Sequence, residues 1–313
     1  MPSDELTIPV LAGPTASGKS DAAVALGTVA LEAWALAAGW GGLELVSADA
    51  MMVYRGMDIG TAKPSAAERA RVRHHLIDVV DPDEPFSVAD YVGRAEAAIA
   101  DVVARGRLPL VVGGTGFYIR ALSQGLPTVP AADPAVQAPL WARVEAEGLE
   151  PLHQDLATLS PADAERAQHN PRKVVRALEV LQRTGRPPSN FPFTEPAFRY
   201  DKRVLLPPAD DLTARIEART EAMFAAGLVD EVQRLLGHYP HQPTALQAIG
   251  YKEVAAYLRG EVSLEGARAQ VTLATVRYAK RQRTWFRKEP GAVPIHNVGP
   301  AALPDLSAWL RDL

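Results

Sequence analysis

The sequence contains no cysteine among its 313 residues. This absence excludes a disulfide framework, a thiol nucleophile and a cysteine-ligated metal site. A chain without cysteine also suits a reducing compartment, where disulfides do not form. The composition therefore predicts a cytoplasmic protein whose chemistry uses hydroxyl, carboxylate and cationic side chains.

The sequence also lacks an apolar run that is typical of a membrane span. Its most apolar region, residues 22–43, is rich in alanine and is interrupted by Glu32 and by four glycines. A spanning helix needs about 20 predominantly apolar residues. The first ten residues carry Asp4 and Glu5 but no basic side chain, which is unlike a signal peptide. We therefore predict neither a membrane segment nor a secretion signal.

An excess of positive charge is missing as well. The chain has 33 Lys and Arg against 37 Asp and Glu, a net charge of −4. It is therefore not a general polycation, and any nucleic-acid site must be a local patch. With 47% hydrophobic and 22% charged residues, the composition is that of a globular protein and excludes a disordered or collagen-like chain. At roughly 150 residues per domain, the length predicts about two domains.

Predicted strands and helices alternate along the first 125 residues. Capping boxes, in which a serine hydroxyl precedes an acidic residue by three positions, begin helices at Ser65 and at Ser87. This alternation is typical of a parallel sheet that is covered on both faces by helices. The predicted strands are residues 7–12, 43–47, 75–80 and 108–112, and the longer predicted helices are about 19–38 and 87–105.

One segment matches the phosphate-binding motif G-x-x-x-x-G-K-[ST] completely, and it lies between a predicted strand and a predicted helix. Its glycines allow backbone turns that point N–H groups at phosphate oxygens, and the helix N-terminus adds a favourable dipole. Lys19 supplies a positive charge, and the Ser20 hydroxyl is a ligand type that Mg²⁺ prefers. The motif predicts a phosphate chain with Mg²⁺, without distinguishing a diphosphate from ATP. Its residues are Gly13, Pro14, Thr15, Ala16, Ser17, Gly18, Lys19 and Ser20.

The pattern of elements changes after residue 126. A proline-rich linker is followed by helical patterns only, and a strand with two long helices then returns near the end of the chain. With the phosphate-binding motif, this order predicts an α/β fold with a P-loop NTPase-like parallel-sheet core and an inserted all-helical domain. The core comprises residues 1–126 and 199–313, with a strand at 203–206 and helices at 212–236 and 263–288, and the insertion comprises 127–198.

The position of one acidic residue, Asp49, bears on whether the chain is a P-loop kinase. P-loop NTPases commonly hold Mg²⁺ with an acid at the end of an apolar strand. Here the strand 108–112 ends in Gly113-Gly114-Thr115, and the carboxylate, Asp49, follows the strand 43–47. A P-loop ATP-dependent small-molecule kinase remains the alternative, and a nucleotide-gated RNA-binding module is a third possibility.

Several segments together resemble one family, the tRNA dimethylallyltransferases, which modify adenosine 37 of tRNA. The resemblance covers nearly the whole chain, and its motifs occur in order. It implies transfer of a dimethylallyl group from dimethylallyl diphosphate to N6 of that adenine, so that the P-loop holds a diphosphate. The motifs are GPTASGKS (13–20), SADAMMVYRGMDIGTAKP (47–64), LPLVVGGTGFYIRAL (108–122), NPRKVVRALEV (170–180), ARIEART (214–220), QAIGYKE (247–253) and YAKRQRTWFRK (278–288).

The resemblance assigns catalytic roles to Asp49, Thr115 and Arg219. A carboxylate that accepts the proton of the attacking amine would be a general base, and cations would stabilise the leaving diphosphate. Each residue also has a purely structural interpretation. Asp49 could cap the following turn, Thr115 could be a helix N-cap, and Arg219 could belong, with Arg215, to an exposed stripe of ion pairs.

Two local basic patches carry part of the tRNA contacts that the resemblance implies. Residues 267–288 carry seven basic side chains and no acidic one, although an ordinary solvated face would have the same composition. A second basic patch lies in the predicted helical insertion. No feature requires more than a monomer. The implied tRNA-binding residues are Asp49, Ala50, Met51, Met52, Thr115, Gln137, Arg172, Lys173, Val174, Val175, Arg176, Gln247, Gly250, Tyr251, Lys252, Thr275, Arg277, Lys280, Arg281 and Gln282.

The sequence departs from the family pattern at four places, one of which is Thr275-Val276-Arg277, where the family usually has Thr-[Arg/Lys]-Gln. Residues 31–43 resemble an insertion, for which we expect a surface loop. Gln137 occupies a position where the family commonly has a basic residue, which puts that tRNA contact in doubt. Asp49 is followed by Ala50-Met51-Met52, where the family often has serine and a second polar residue, so base recognition beside Asp49 is expected to be looser.

Overall fold

A computed structural model describes residues 6–30, 39–240, 244–297 and 299–313. The chain forms two compact units, one made of Met1–Ser123 with Ala197–Leu313 and the other of Gln124–Pro196. The first unit contains the sheet and the second is helical. Residues 31–38, the end of the predicted first helix and most of the predicted insertion loop, lie outside the described residues.

In the described residues, six strands form one sheet in which every pair of neighbours is parallel. The order β3-β2-β4-β1-β5-β6 places β1 between β4 and β5. A parallel sheet needs crossover helices on its faces, which explains the alternation seen in the sequence. The strands are β1 (Thr7–Ala12), β2 (Leu43–Ser47), β3 (His74–His75), β4 (Leu108–Gly113), β5 (Arg199–Leu205) and β6 (Ala292–Ile295).

Helices cover both faces of this sheet. One face packs against α1 and the C-terminal α13, through residues such as Ala23 and Trp309. The other face packs against α3 and α4, through Ile99 and Leu122. Among the described residues of this unit, the α-helices are α1 (Lys19–Ala25), α2 (Ala66–Arg71), α3 (Val88–Ala104), α4 (Gly116–Gln124), α9 (Ala209–Ala225), α10 (Leu228–His238), α11 (Tyr251–Leu258), α12 (Leu264–Phe286) and α13 (Leu303–Arg311).

The second unit has its own apolar core, to which Leu152, Leu156 and Val174 contribute fully buried side chains. Helix boundaries follow local signals, because Asp133 and Asn170 cap two of its helices and Gly185 ends the last one in the left-handed conformation. Within 124–196, all of which the structure describes, the α-helices are α5 (Pro134–Glu147), α6 (Glu150–Leu159), α7 (Pro161–Ala167) and α8 (Pro171–Thr184).

Two local expectations are wrong in detail, and one strand was not predicted. The strand predicted at 75–80 is reduced to β3, because Leu76 and Asp78 adopt left-handed backbone angles that end the pairing. The helix predicted at 212–236 is two helices, α9 and α10, separated at Gly227 with φ of 98°. The edge strand β6 was not expected from the sequence.

A buried ion cluster stabilises the edge of the sheet. Glu44 of β2 is only 2% exposed, and its carboxylate lies 2.9 Å from the Arg107 Nε and 2.6 Å from the His75 Nε2. Two hydrogen bonds from Arg105 lower the pKa of Glu44 to about 2, against the opposing effect of burial. The charged carboxylate is therefore favoured by the folded state.

We predict that Glu44→Gln lowers the free energy of unfolding at pH 7 by about 2 kcal/mol, because charge-assisted hydrogen bonds are lost. The folded-state pKa lies below the unfolded value of 4.5, so this stabilisation is lost as pH falls from about 4.5 towards 2. Urea unfolding at pH 7 and pH 3 measures both effects. The variant should lose less stability over this range than the wild type, and the exposed-site control Glu217→Gln should behave like the wild type.

Candidate active site

The carboxyl ends of three adjacent strands meet at one edge of the sheet. β1 leads into the phosphate loop, β2 leads to Asp49, and β4 leads to Gly113, Gly114 and Thr115. In the strand order, β4 lies between β2 and β1. Open parallel sheets bind ligands at this edge. Segments that are far apart in the sequence are therefore neighbours in the fold.

The phosphate loop has the backbone that its glycines require. Gly18 has φ of 81°, a left-handed angle that glycine adopts without strain. A Cβ at Gly13 would lie 2.8 Å from the Ser17 Oγ and 2.9 Å from the Leu205 carbonyl oxygen. The loop closes on itself, since the Ser17 N–H and the Lys19 Nζ both donate to the Pro14 carbonyl. α1 then begins at Lys19, so its N-terminus points into the site.

A cleft of about 520 Å³ lies above the phosphate loop. It combines cations, hydroxyl groups and one carboxylate from the predicted catalytic and phosphate-binding sets. The lining groups predicted from the sequence are Thr15, Ala16, Gly18, Lys19, Ser20, Asp49, Met52 and Arg219, with Arg215 beside them.

Two of the cations that line the cleft, Lys19 and Arg219, are partly buried. Burial lowers the pKa of Lys19 to about 8, an effect that Asp49 opposes and Arg219 reinforces. Burial also lowers the pKa of Arg219, again opposed by Asp49. Arg219 donates to the Thr15 hydroxyl of the phosphate loop, so it faces the cleft and not an ion pair on the surface. An anionic ligand would compensate these desolvated charges.

Asp49 and Thr115 are joined through the turn that follows β2. The Asp49 Oδ1 accepts hydrogen bonds from the Met51 N–H at 2.9 Å and the Met52 N–H at 3.4 Å. The Thr115 Oγ1 accepts the Ala50 N–H at 3.0 Å. Asp49 thus has the capping role foreseen as its structural interpretation. Its second oxygen, Oδ2, has no hydrogen bond within the described part of the chain and lies on a residue that lines the cleft.

Gln282 connects the basic helix to the phosphate loop. Its Oε1 accepts the Thr15 N–H at 2.8 Å, and its Nε2 donates to the Gly114 carbonyl at 2.8 Å. A Cβ on Gly114 would lie 2.7 Å from that Nε2, which explains the glycine there. The side chain is buried. The geometry therefore indicates a positioning role for Gln282, where a tRNA contact was predicted.

One positioning carboxylate was missed from the sequence. Glu231 of α10 is buried and accepts the backbone N–H groups of Asp58, Ile59 and Gly60 at 2.9–3.2 Å. It also accepts the Tyr251 hydroxyl at 2.6 Å. The segment that follows, 61–64, forms one wall of the cleft. No local signal marks Glu231, because it lies 171 residues from Gly60.

A basic groove of about 730 Å³ runs along α12. Its lining contains no acidic residue, and the Arg120 guanidinium stacks 4.0 Å from the centre of the Trp285 ring. Three of the predicted tRNA-binding residues, Arg277, Lys280 and Arg281, are exposed here. The remaining lining residues are Arg120, Thr284, Trp285 and Lys288.

Burial corrects part of the predicted tRNA-binding set. Val174 and Val175 belong to the core of the helical unit, and Tyr251 is buried against Glu231. Thr275 is buried and donates to the Val271 carbonyl within α12. Gly250 is also buried, whereas Gln247 and Lys252 are exposed. The buried side chains have no surface for an RNA contact.

In the helical unit, two further predicted residues have internal partners. Gln137 and Arg176 donate to the fully buried Glu179 at 2.6 and 2.7 Å. Although burial opposes it, these hydrogen bonds lower the pKa of Glu179 below its usual value. Gln137 therefore joins α5 to α8, whereas Arg176 and Glu179 lie in the same helix. Arg172 and Lys173 remain exposed at the start of α8.

A phosphate loop on a parallel sheet, facing a carboxylate and two partly buried cations, defines a P-loop α/β protein. The family model described as IPP transferase matches residues 52–289. The chain therefore belongs to the IPP transferase family.

The similarity to individual relatives extends over nearly the full length of the chain. The chain is 56% identical to the tRNA dimethylallyltransferase of Thermus thermophilus, covering 97% of both chains. Among solved structures, it is similar to the tRNA isopentenylpyrophosphate transferase of Bacillus halodurans, with a TM-score of 0.70, 35% identity and coverage of 98% and 96%. A eukaryotic dimethylallyltransferase acting on tRNA gives a TM-score of 0.73 at 25% identity, covering 98% of this chain and 77% of that one.

None of the helices within residues 6–30, 39–240, 244–297 and 299–313 combines the length and the apolar character that a bilayer crossing needs.

We predict that Glu231→Gln weakens the binding of inorganic pyrophosphate by about tenfold, because the amide presents N–H donors to backbone N–H groups and the 58–60 segment loses its anchor. Calorimetric titration with Mg²⁺ present measures the affinity, and a thermal melt reports the overall fold. Tyr251→Phe removes one donor and should have a smaller effect. Unchanged pyrophosphate affinity in a folded Glu231→Gln variant would refute the positioning role.

Proposed function

We propose that this transferase moves a dimethylallyl group from dimethylallyl diphosphate to N6 of adenosine 37 in the anticodon loop of tRNA. The observation that carries the proposal is a carboxylate, Asp49, in the same cleft as the phosphate loop. A kinase also needs the loop and a carboxylate, but it has no need of the exposed basic groove along α12. The relatives described above are all named as transferases that act on tRNA.

Asp49 is proposed as the general base. The adenine N6 attacks the allylic carbon, a C–N bond forms, and the C–O bond to the diphosphate breaks. The N6 proton then passes to the Asp49 Oδ2, while the Oδ1 stays bound to the Met51 and Met52 N–H groups. Thr115 positions this turn through its hydrogen bond from the Ala50 N–H.

The leaving diphosphate is stabilised by charges that are already in place. Lys19, Arg219 and the N-terminus of α1 converge on the cleft. Because the two side chains are desolvated before the ligand arrives, their interaction with the developing negative charge is strong and needs little reorganisation. This arrangement supports a diphosphate as the bound group.

The residues present also fit a Mg²⁺ ion. Ser20 lines the cleft in the first turn of α1, and the buried Ser17 hydroxyl has no hydrogen-bond partner among the described residues. Hydroxyl and phosphate oxygens are the donors that Mg²⁺ prefers. Ser20 would hold the ion together with the diphosphate, and when bound the ion would neutralise part of the charge on the leaving group.

The proposed tRNA contacts are the exposed cations. The groove residues Arg277, Lys280 and Arg281 would bind phosphates near the reacting base, and Arg172 and Lys173 would add contacts from the helical unit. The target adenine must leave the stack of the anticodon loop to reach Asp49. A cytoplasmic monomer is the form we propose, because every group named in the mechanism belongs to one chain and the substrate is tRNA.

The transfer itself is tested with Mg²⁺, radiolabelled dimethylallyl diphosphate and an anticodon stem-loop that carries adenosine 37. We expect label at N6 of that adenine and none in a stem-loop with guanosine there. Release of phosphate from ATP without labelled RNA would support the kinase.

Asp49→Asn should lower the rate of the chemical step by roughly 10²–10⁴-fold, since the amide cannot accept the proton. The amide oxygen still caps the Met51 and Met52 N–H groups, so the turn is preserved. Single-turnover kinetics measure the step, and RNA affinity measured in parallel should stay near the wild-type value. Normal turnover by this variant would exclude the general-base assignment.

Lys280→Ala should weaken RNA binding and reduce the slope of log affinity against log salt by about 1, because one phosphate contact is lost. Filter binding at several salt concentrations gives the slope. Arg259→Ala removes an exposed cation that directly follows α11 and pairs with Glu261, and it should leave the slope unchanged. Equal slopes for Lys280→Ala and the wild type would remove Lys280 from the interface.

A further inference from the structure

A second group of potential ligands lies in the helical unit and has no part in the mechanism above. Glu150 and His153 are three positions apart in α6, so both side chains lie on the same face of the helix. Glu150 belongs to the first turn and is exposed, whereas His153 is partly buried. A glutamate followed by a histidine at this spacing is a common metal-binding pair in helical proteins.

A third ligand comes from the turn between α7 and α8. Gln168 and His169 have φ of 50° and 53°, and left-handed angles at two successive non-glycine residues are uncommon. This turn stacks the His169 ring on the His153 ring, with 3.9 Å between the ring centres and 21° between the ring planes. Stacked rings cannot both direct an in-plane nitrogen lone pair at one ion, so ion binding requires the exposed His169 side chain to rotate. The His169 Nδ1 lies 3.4 Å from a Glu150 carboxylate oxygen. Ligand atoms of all three residues lie within 4.8 Å of one another.

The hydrogen bond of His153 leaves one of its nitrogens available. The His153 Nε2 lies 3.2 Å from the Ala164 carbonyl oxygen. A carbonyl only accepts hydrogen bonds, so Nε2 carries the proton and Nδ1 keeps its lone pair. Metal-binding histidines are typically oriented in this way, with the second ring nitrogen donating to a backbone carbonyl.

From these observations we infer that Glu150, His153 and His169 form a Zn²⁺ site. Two imidazoles and one carboxylate are ligands that Zn²⁺ accepts, with water in the fourth position. Magnesium is a poor candidate because it prefers oxygen ligands. Within the described residues, this is the one such group of histidine and acidic side chains. The ion would join the start of α6 to the turn before α8.

The site predicts a structural effect on the helical unit. His169 directly precedes Asn170, whose side chain caps α8 at the Arg172 and Lys173 N–H groups. Zinc bound to the folded form alone stabilises that form by mass action. The bound ion would therefore raise the melting temperature and fix the start of α8, where the two exposed cations lie.

The test is a calorimetric titration of the full, untagged and metal-free chain with ZnCl₂. We expect one ion per chain and a higher melting temperature in zinc. His169→Asn and Glu150→Gln should each weaken binding by at least about tenfold and reduce the thermal shift. His238→Asn changes an exposed histidine outside the cluster and should bind as the wild type does. MgCl₂ should neither bind here nor displace zinc.

Two results would overturn the inference: no saturable zinc binding by the wild type, or equal zinc affinity in the wild type and both ligand variants. Circular dichroism checks that each variant is folded. Glu150 is exposed on α6 and its replacement removes no core contact, so Glu150→Gln decides the question if His169→Asn does not fold.

Discussion

The carboxamide of Gln282 holds together the three parts of the site that the reaction needs. It bonds to the backbone of the phosphate loop at Thr15 and to the end of β4 at Gly114, and it belongs to the basic helix α12. Both of its polar ends are satisfied, which a buried amide requires. Because one side chain contacts all three segments, the phosphate loop, the end of β4 and the basic groove are held in fixed positions relative to one another.

In the cleft, the charge of Asp49 only partly compensates the positive charges of Lys19 and Arg219. Asp49 offsets the burial of Lys19 and Arg219 only partly, since the pKa of both cations stays below its ordinary value. A full ion pair would have left little attraction for a ligand. Two partly compensated cations instead favour an anion whose charge grows during the reaction, which is the property of a leaving diphosphate.

Elements that depend on neighbouring residues in the sequence were predicted well. β1 and β2 have the predicted limits, because short apolar runs between breakers are strong signals, and the phosphate loop follows from its spacing. Glu231 and the inward role of Gln282 could not be predicted, since both depend on partners more than 160 residues away. β6 is a short, half-exposed edge strand that contains Pro294. It therefore lacks both the length and the alternation of polar and apolar residues by which a strand is recognised in a sequence.

Burial also decides which cations are free to meet RNA. Charge along the sequence makes 172–186 look like one basic surface, yet Arg176 and Arg183 both bind the buried Glu179. Likewise, Arg120 lines the groove while it pairs with the buried Glu289, to which Lys202 also binds. A cation that compensates a buried carboxylate has little charge left for a phosphate. The exposed side of α12, which has no such carboxylate among its groove residues, is therefore the stronger electrostatic site.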